Sequence, residues 1–335
     1  MSRPTTVRAA RFAFVRSGSA AGLPRRSPKD SPPRRRRPEP PVARAAPPPW
    51  AVLVASGGAW GLTMPLLKLA ASAGYPALSL LLWQNLLMAG LAALVFFATR
   101  RPWPRWSESG PAMLAIAVLG TVLPGYFTFL TAGELAVGAR AIILAMVPIC
   151  ALPIALLLGE ERFAGRRIGG LLLGLAAVAL LVLPGAGGGP APPMMVLLAM
   201  LGPVSYAVEA NVLSRRPPDA DPVGLLFGAS VISVALTLPL AVATGAATAP
   251  RGLGTGEMAL LATSPINLVA YVAYVWLAAG AGAVFASQIG YVVTISGVFW
   301  GMLLLGERPG PLVWLSLALM LTGIALVRPR KMLET

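Results

Sequence analysis

Two charged side chains stand where an otherwise apolar sequence offers charge no obvious use. Glu209 lies in GPVSYAVEANVLSRR, six residues before Arg215, about 9 Å along a helix. Lys68 closes the stretch AWGLTMPLLK (59–68). An ionisable group at the centre of a membrane helix costs about 2.5–3.5 kcal/mol on insertion scales, so each of these residues needs a reason to be there. Away from water a carboxyl group favours its neutral, protonated form, which makes Glu209 a candidate for proton coupling or cation binding. The competing reading is a rim residue paired with Arg215 or Arg216. Lys68 either snorkels its stem to the interface or faces a cavity and attracts an anionic group.

A second tier is polar but uncharged: Gln84, Asn85, Asn211, Asn267, Gln288, Thr294 and Ser296. Interhelical hydrogen bonding is the default use of such groups in a membrane. Gln84, Asn85 and Gln288 are the best placed of them to face a cavity. Trp60, Tyr126, Tyr206, Tyr271, Tyr274 and Tyr291 could line the same space, since ligand sites are mostly apolar with a few placed polar groups. Pro148 and Pro153 remove backbone donors from one helix and can kink it, as a static bend or as a hinge. Glu160 and Glu307 each follow a helix-ending glycine, Gly159 and Gly306. A carboxylate there can accept from the orphan N–H groups of the next helix start, a structural role. With no His and a single Cys, Cys150, nothing calls for a metal or a cofactor.

The elements that must position these groups follow from composition. Of 335 residues, 56% are hydrophobic and 12% charged, with mean hydropathy +0.75. Soluble domains carry about 25% charged residues, so water is not the main solvent of this chain. The net charge of +15 raises nucleic-acid binding, but 12 of the 27 basic residues precede residue 50 and the rest mostly flank apolar runs. No nucleic-acid partner is expected. Residues 1–49, with SPPRRRRPEPPVARAAPPPW, are too rich in Pro and Arg to pack a core and read as a disordered basic tail. That tail is a lipid-touching segment, a targeting segment or a functionless extension.

From Trp50 onward, cutting at charges and Gly/Pro clusters gives ten runs of about 20 residues, the length that crosses a bilayer. They fall near 50–70, 76–98, 110–131, 137–158, 166–184, 193–214, 222–244, 256–277, 283–305 and 311–328. With the N-terminus inside, Arg100, Arg101, Arg105, Arg162, Arg166, Arg167, Arg215, Arg216, Arg328, Arg330 and Lys331 fall on the cytoplasmic side. Arg140, Arg251 and Arg308 fall opposite, a bias that puts both termini in the cytoplasm.

The pentapeptide LLLGE occurs at 156–160 and again at 303–307, 147 residues apart. The same offset lays Ala279 and Gly280 on Ala132 and Gly133, Ala286 on Ala139, and Arg215 on Lys68. Five helices precede the end of each half, 50–185 and 192–329, so the second half is inverted relative to the first. Inverted repeats are a recurring construction of secondary transporters.

Each half resembles an EamA-type domain of the drug/metabolite transporter superfamily. The likeness lies in AWGLTMPLLK, ILAMVPICALPIALLLGEE (143–161), VFASQIGYVVTISGVFWGMLLLGER (284–308) and the closing GLLLGLAAVALLVLP (170–184) and LALMLTGIALVRP (317–329). Gln84 stands where that family often has Arg, and Thr294–Ser296 stand where the fourth helix has Pro148. The resemblance implies ten transmembrane helices, a central cavity and export of small metabolites or drugs by secondary transport from the inner (plasma) membrane. The expected partners are the bilayer and a small solute. Gly169, Gly170 and Gly174 suit close helix packing or a homodimer face. No Walker A motif, HExxH or GxSxG is present, so an ATP-driven pump and the usual hydrolases are not expected. A non-transporting scaffold or sensor is the alternative.

Overall fold

The computed structural model describes residues 47–157, 165–181, 183, 192–213, 221–281 and 289–327. Among them the regular structure is helical. In chain order the helices are α1 (Pro49–Ala71), α2 (Ala77–Ala98), α3 (Trp106–Ala132), and α4, in two segments (Val137–Leu144 and Val147–Leu157). They continue with α5 (Gly165–Leu181), α6 (Pro193–Leu213), α7 (Pro222–Ala243), α8 (Thr255–Ala281), α9 (Ile289–Leu305) and α10 (Pro311–Val327). Seven of these rods are long and apolar enough to cross a bilayer, and α5, α9 and α10 are shorter apolar helices. Residues 1–46 lie outside the described part.

Local chemistry sets the ends. Proline begins α1 at Pro49 and α7 at Pro222, where its missing N–H is not needed. Asp221 caps α7 by accepting from Gly224 N at 2.8 Å and also pairs with Arg101 at 3.2 Å. The Arg101 side chain is 47% exposed, so the cap rather than the ion pair carries the stabilisation. Asp221→Ala is therefore expected to cost about 1 kcal/mol and Asp221→Asn much less, as read by thermal unfolding in detergent. Equal losses in the two variants would assign the effect to the ion pair.

Two helices are irregular, each for a readable reason. In α4 the ladder breaks at Ala145–Met146, just before Pro148, which has no N–H to offer the preceding turn. The chain tightens there, with Met146 N donating to Ile143 O at 3.0 Å. Pro153 lies inside the second segment. In α3, residues Val118–Val122 form a π-helical turn, and the Thr121 hydroxyl donates to Ile116 O at 3.0 Å, five residues back. Single π turns of this kind gather at functional sites.

The packing order is specific. Helix α5 lies against α10, α2 against α7, and α4 against α9; α1 contacts α8 and α9, α6 contacts α3 and α4, α3 contacts α7, and α8 contacts α2. Small residues allow the closest approaches. A Cβ on Gly323 would stand 2.8 Å from Gly170 O and 3.2 Å from Gly174 N, so these glycines serve the α5–α10 contact; nothing lies within 4 Å of a Cβ built on Gly169. The largest core unites α4, α5 and α10 around Leu135, Ile142, Met146, Ile149 and Met320. Outward-facing residues such as Leu94, Leu236, Leu240, Val269 and Leu303 leave apolar surface on the rods.

Candidate functional site

The first constellation forms where the end of α9 meets the start of α4. Gly306 takes φ +63°, the left-handed conformation that ends α9. The carboxylate of the next residue, Glu307, accepts from Val137 N with both oxygens, at 3.0 and 2.9 Å, and from Lys68 Nζ at 2.9 Å. From the sequence alone, Glu307 belongs to the start of the helix that follows it. It serves the start of α4 instead, because α9 packs directly against that segment. Lys68 does not reach out to the interface: its ammonium turns to Glu307, with the two side chains 25% and 14% exposed. Gly159 and Glu160, the equivalent pair in the first half, lie outside the described residues.

Arg140 is one turn further along α4. By sequence it belongs among the flanking charges, yet it is only 7% exposed and its Nη1 has no hydrogen-bond partner among the described residues. The signal was present in AVGARAIIL: positions three and four residues either side of Arg140 are Val137, Ala136, Ile143 and Leu144, none of which can pair with it. Its electrostatic neighbours are Glu307 and Tyr206.

Tyr206 joins this group to Glu209, for it lies within electrostatic reach of both Arg140 and Glu209. Glu209 is half-buried on α6 and makes no ion pair among the described residues. Its carboxylate sits in a notch on the π turn of α3, where a Cβ on Gly120 would crowd Oε1 and stand 2.6 Å from the carboxyl carbon. The obstructed atoms are the far end of a flexible side chain, so Gly120→Ala is expected to fold with near-native melting while displacing the carboxylate. A melting temperature well below native would show that the notch cannot yield to a methyl group. Arg215 and Arg216, the alternative partners of Glu209, lie outside the described residues.

The remaining candidates are dispersed. Trp60 and Tyr274 pack together around Met64, Val137, Ile289 and Val293, beside the Glu307 constellation. Asn85 is 2% exposed and donates to Thr237 Oγ1 at 3.4 Å, tying α2 to α7. Gln84 and Tyr271 are half-buried, and Tyr126 is exposed and stacks edge-on with Phe127. Tyr291 packs on the α4–α5–α10 core, and Gln288 lies outside the described residues. Pro148 is exposed beside the α4 break, whereas Pro153 is half-buried. A separate shallow groove on α1 and α9, lined by Gly58, Ile295, Phe299, Trp300 and Leu303, is apolar and brings none of the charged groups together.

Apolar rods with exposed apolar faces and charge held between them define a multi-pass α-helical membrane protein. The model of the EamA-like transporter family matches residues 49–183 and again 193–328, most of the chain, and the protein belongs to that family. No curated protein matches the chain closely enough to count as a relative. Among solved structures, one described only as "Crystal structure of protein" is 17% identical, covers 82% of this chain and 94% of its own, and superposes with a TM-score of 0.53. At that identity the likeness concerns the fold alone.

Proposed function

We propose that the protein is a secondary transporter that exports a small organic solute by alternating access, with Glu209 as the coupling carboxylate. The observation that carries this reading is the placement of Glu209: a half-buried carboxylate within a candidate span, without an ion pair among the described residues, held against a π turn. Charge retained at membrane depth marks ion and substrate paths. A scaffold would gain nothing from keeping it there.

Ten crossings in two inverted halves, 50–185 and 192–329, complete the proposal. The helix pairings support it. Adding five to each helix number, and wrapping after ten, turns α1–α8 into α6–α3, α1–α9 into α6–α4 and α3–α7 into α8–α2, all of which occur. The pairs α2–α7, α4–α9 and α5–α10 map onto themselves. Such an exchange is what alternating access between two interchangeable half-states requires. The break before Pro148 is the proposed hinge of the first half. The Lys and Arg distribution supports cytoplasmic termini, and withdrawing Arg140 into α4 sharpens it. Of the three residues assigned to the far side, only Arg251 and Arg308 remain exposed.

The test is protection of cells from toxic amino acids, nucleobases and cationic drugs, followed by flux of the protected compound in liposomes. Protection together with flux that collapses on uncoupling supports coupled export. Flux that ignores the proton gradient removes the coupling role of Glu209. No flux of any compound, with protein confirmed in the bilayer, favours the scaffold.

A further inference from the structure

We infer that Arg140 is the anchor for the anionic group of the solute, so that the site takes a small organic monocarboxylate. This inference rests on the transporter reading and deepens it. Arg140 is more than nine-tenths buried, and its Nη1 has no acceptor among the described residues. Buried donors are normally satisfied, and an unsatisfied charged donor is the most expensive kind. A guanidinium presents a planar fork that a carboxylate fills with two parallel hydrogen bonds.

The charge around it selects the valence of the ligand. Lys68 and Arg140 face one carboxylate, Glu307, so the cluster holds a single excess positive charge. Glu307 is already engaged: both its oxygens accept from Val137 N, and one also from Lys68. Arg140 Nη1 makes no hydrogen bond to it, so Glu307 acts on Arg140 at range. A monoanion balances the cluster, whereas a dianion such as a phosphate monoester overfills it. Glu209, also within electrostatic reach of Tyr206, adds no positive charge to hold a second negative one. The start of α4 adds its own positive end close by, although Glu307 already occupies the first N–H. Tyr206, within electrostatic reach of Arg140 and Glu209, supplies an aromatic ring against which the apolar body of the solute can pack.

The experiment reads binding rather than flux, so it does not depend on transport. Detergent-solubilised full-length protein is titrated with benzoate and with its uncharged isostere benzamide, and with acetate and acetamide, following thermal unfolding. Benzoate is expected to bind about tenfold or more tightly than benzamide. Arg140→Gln is expected to erase that preference and to raise the melting temperature of the ligand-free protein, because it removes the excess positive charge of the cluster. Arg140→Lys keeps the charge but not the fork, and is expected to lose at least about threefold of the preference; it also covers a failure of Arg140→Gln to fold. Equal binding of benzoate and benzamide by the wild type overturns the proposal, as does a preference that survives in both variants. Binding with the expected preference but no flux in liposomes overturns the transporter reading and leaves the anion site standing. Flux of neutral solutes without carboxylate preference does the reverse.

Discussion

Glu307→Ala is expected to destabilise the protein by about 3 kcal/mol, the largest single effect among its charged residues. The carboxylate does two jobs at once: it holds Lys68 at 2.9 Å and closes the start of α4 through Val137 N at 2.9–3.0 Å. Removing it strands the Lys68 ammonium and the Arg140 guanidinium together, with no other anion of the cluster to offset them. Breaking a buried pair from one side costs roughly 3–5 kcal/mol. The 25% exposure of Lys68 puts this case at the low end. Glu307→Gln keeps an acceptor for Val137 N but not the charge, so about half the loss is expected. Thermal unfolding in detergent checks the series. The double variant Lys68→Met/Glu307→Gln is expected to recover part of the loss, because each single change leaves a partner unpaired. A Glu307→Ala protein within about 0.5 kcal/mol of wild type, the range of ordinary surface changes, would mean the network does not hold α1, α4 and α9 together.

The second large effect is functional. On the coupled-export proposal, Glu209→Gln is expected to lower proton-driven flux by tenfold or more (roughly 1.4 kcal/mol for each tenfold step), while exchange of solute down its own gradient persists. Glutamine fills the Gly120 notch with nearly the same shape, so the fold is not at risk, and only the ability to gain and lose a proton is removed. Liposomes with an imposed pH gradient, compared with counterflow under no gradient, separate the two quantities. Equal loss in both would make Glu209 part of solute binding. No loss in either would make it a packing residue of the π turn. Gly120→Ala supplies the complementary case, because the carboxyl chemistry is intact but displaced.

The apolar runs and the two-part organisation are legible in the letters, because lipid as solvent demands long apolar segments and a repeated half repeats its punctuation. LLLGE at 156–160 and 303–307 carries that information without any structure. The isolation of Glu209 is legible for the same reason, as a lone carboxylate in an apolar stretch is conspicuous. So is the break in α4, since Pro148 cannot donate. Partners are another matter. Glu307 meets Lys68 across 239 residues and Val137 across 170, and no local spacing rule reaches that far. From the sequence alone the carboxylate therefore belongs to the nearest helix start, Lys68 to the interface or a cavity, and Arg140 to the flanking charges, because helix ends are where arginines usually lie. Which side of α4 faces protein is decided by α6 and α9. The same holds for the π turn, since VLGTV gives no hint of it until the Glu209 carboxylate is seen filling the space at Gly120. The sequence by itself determined the solvent, the rods and the rarity of charge between them. Only the packing of rods from different parts of the chain decided which charges meet, because that depends on distances through space and not along the chain.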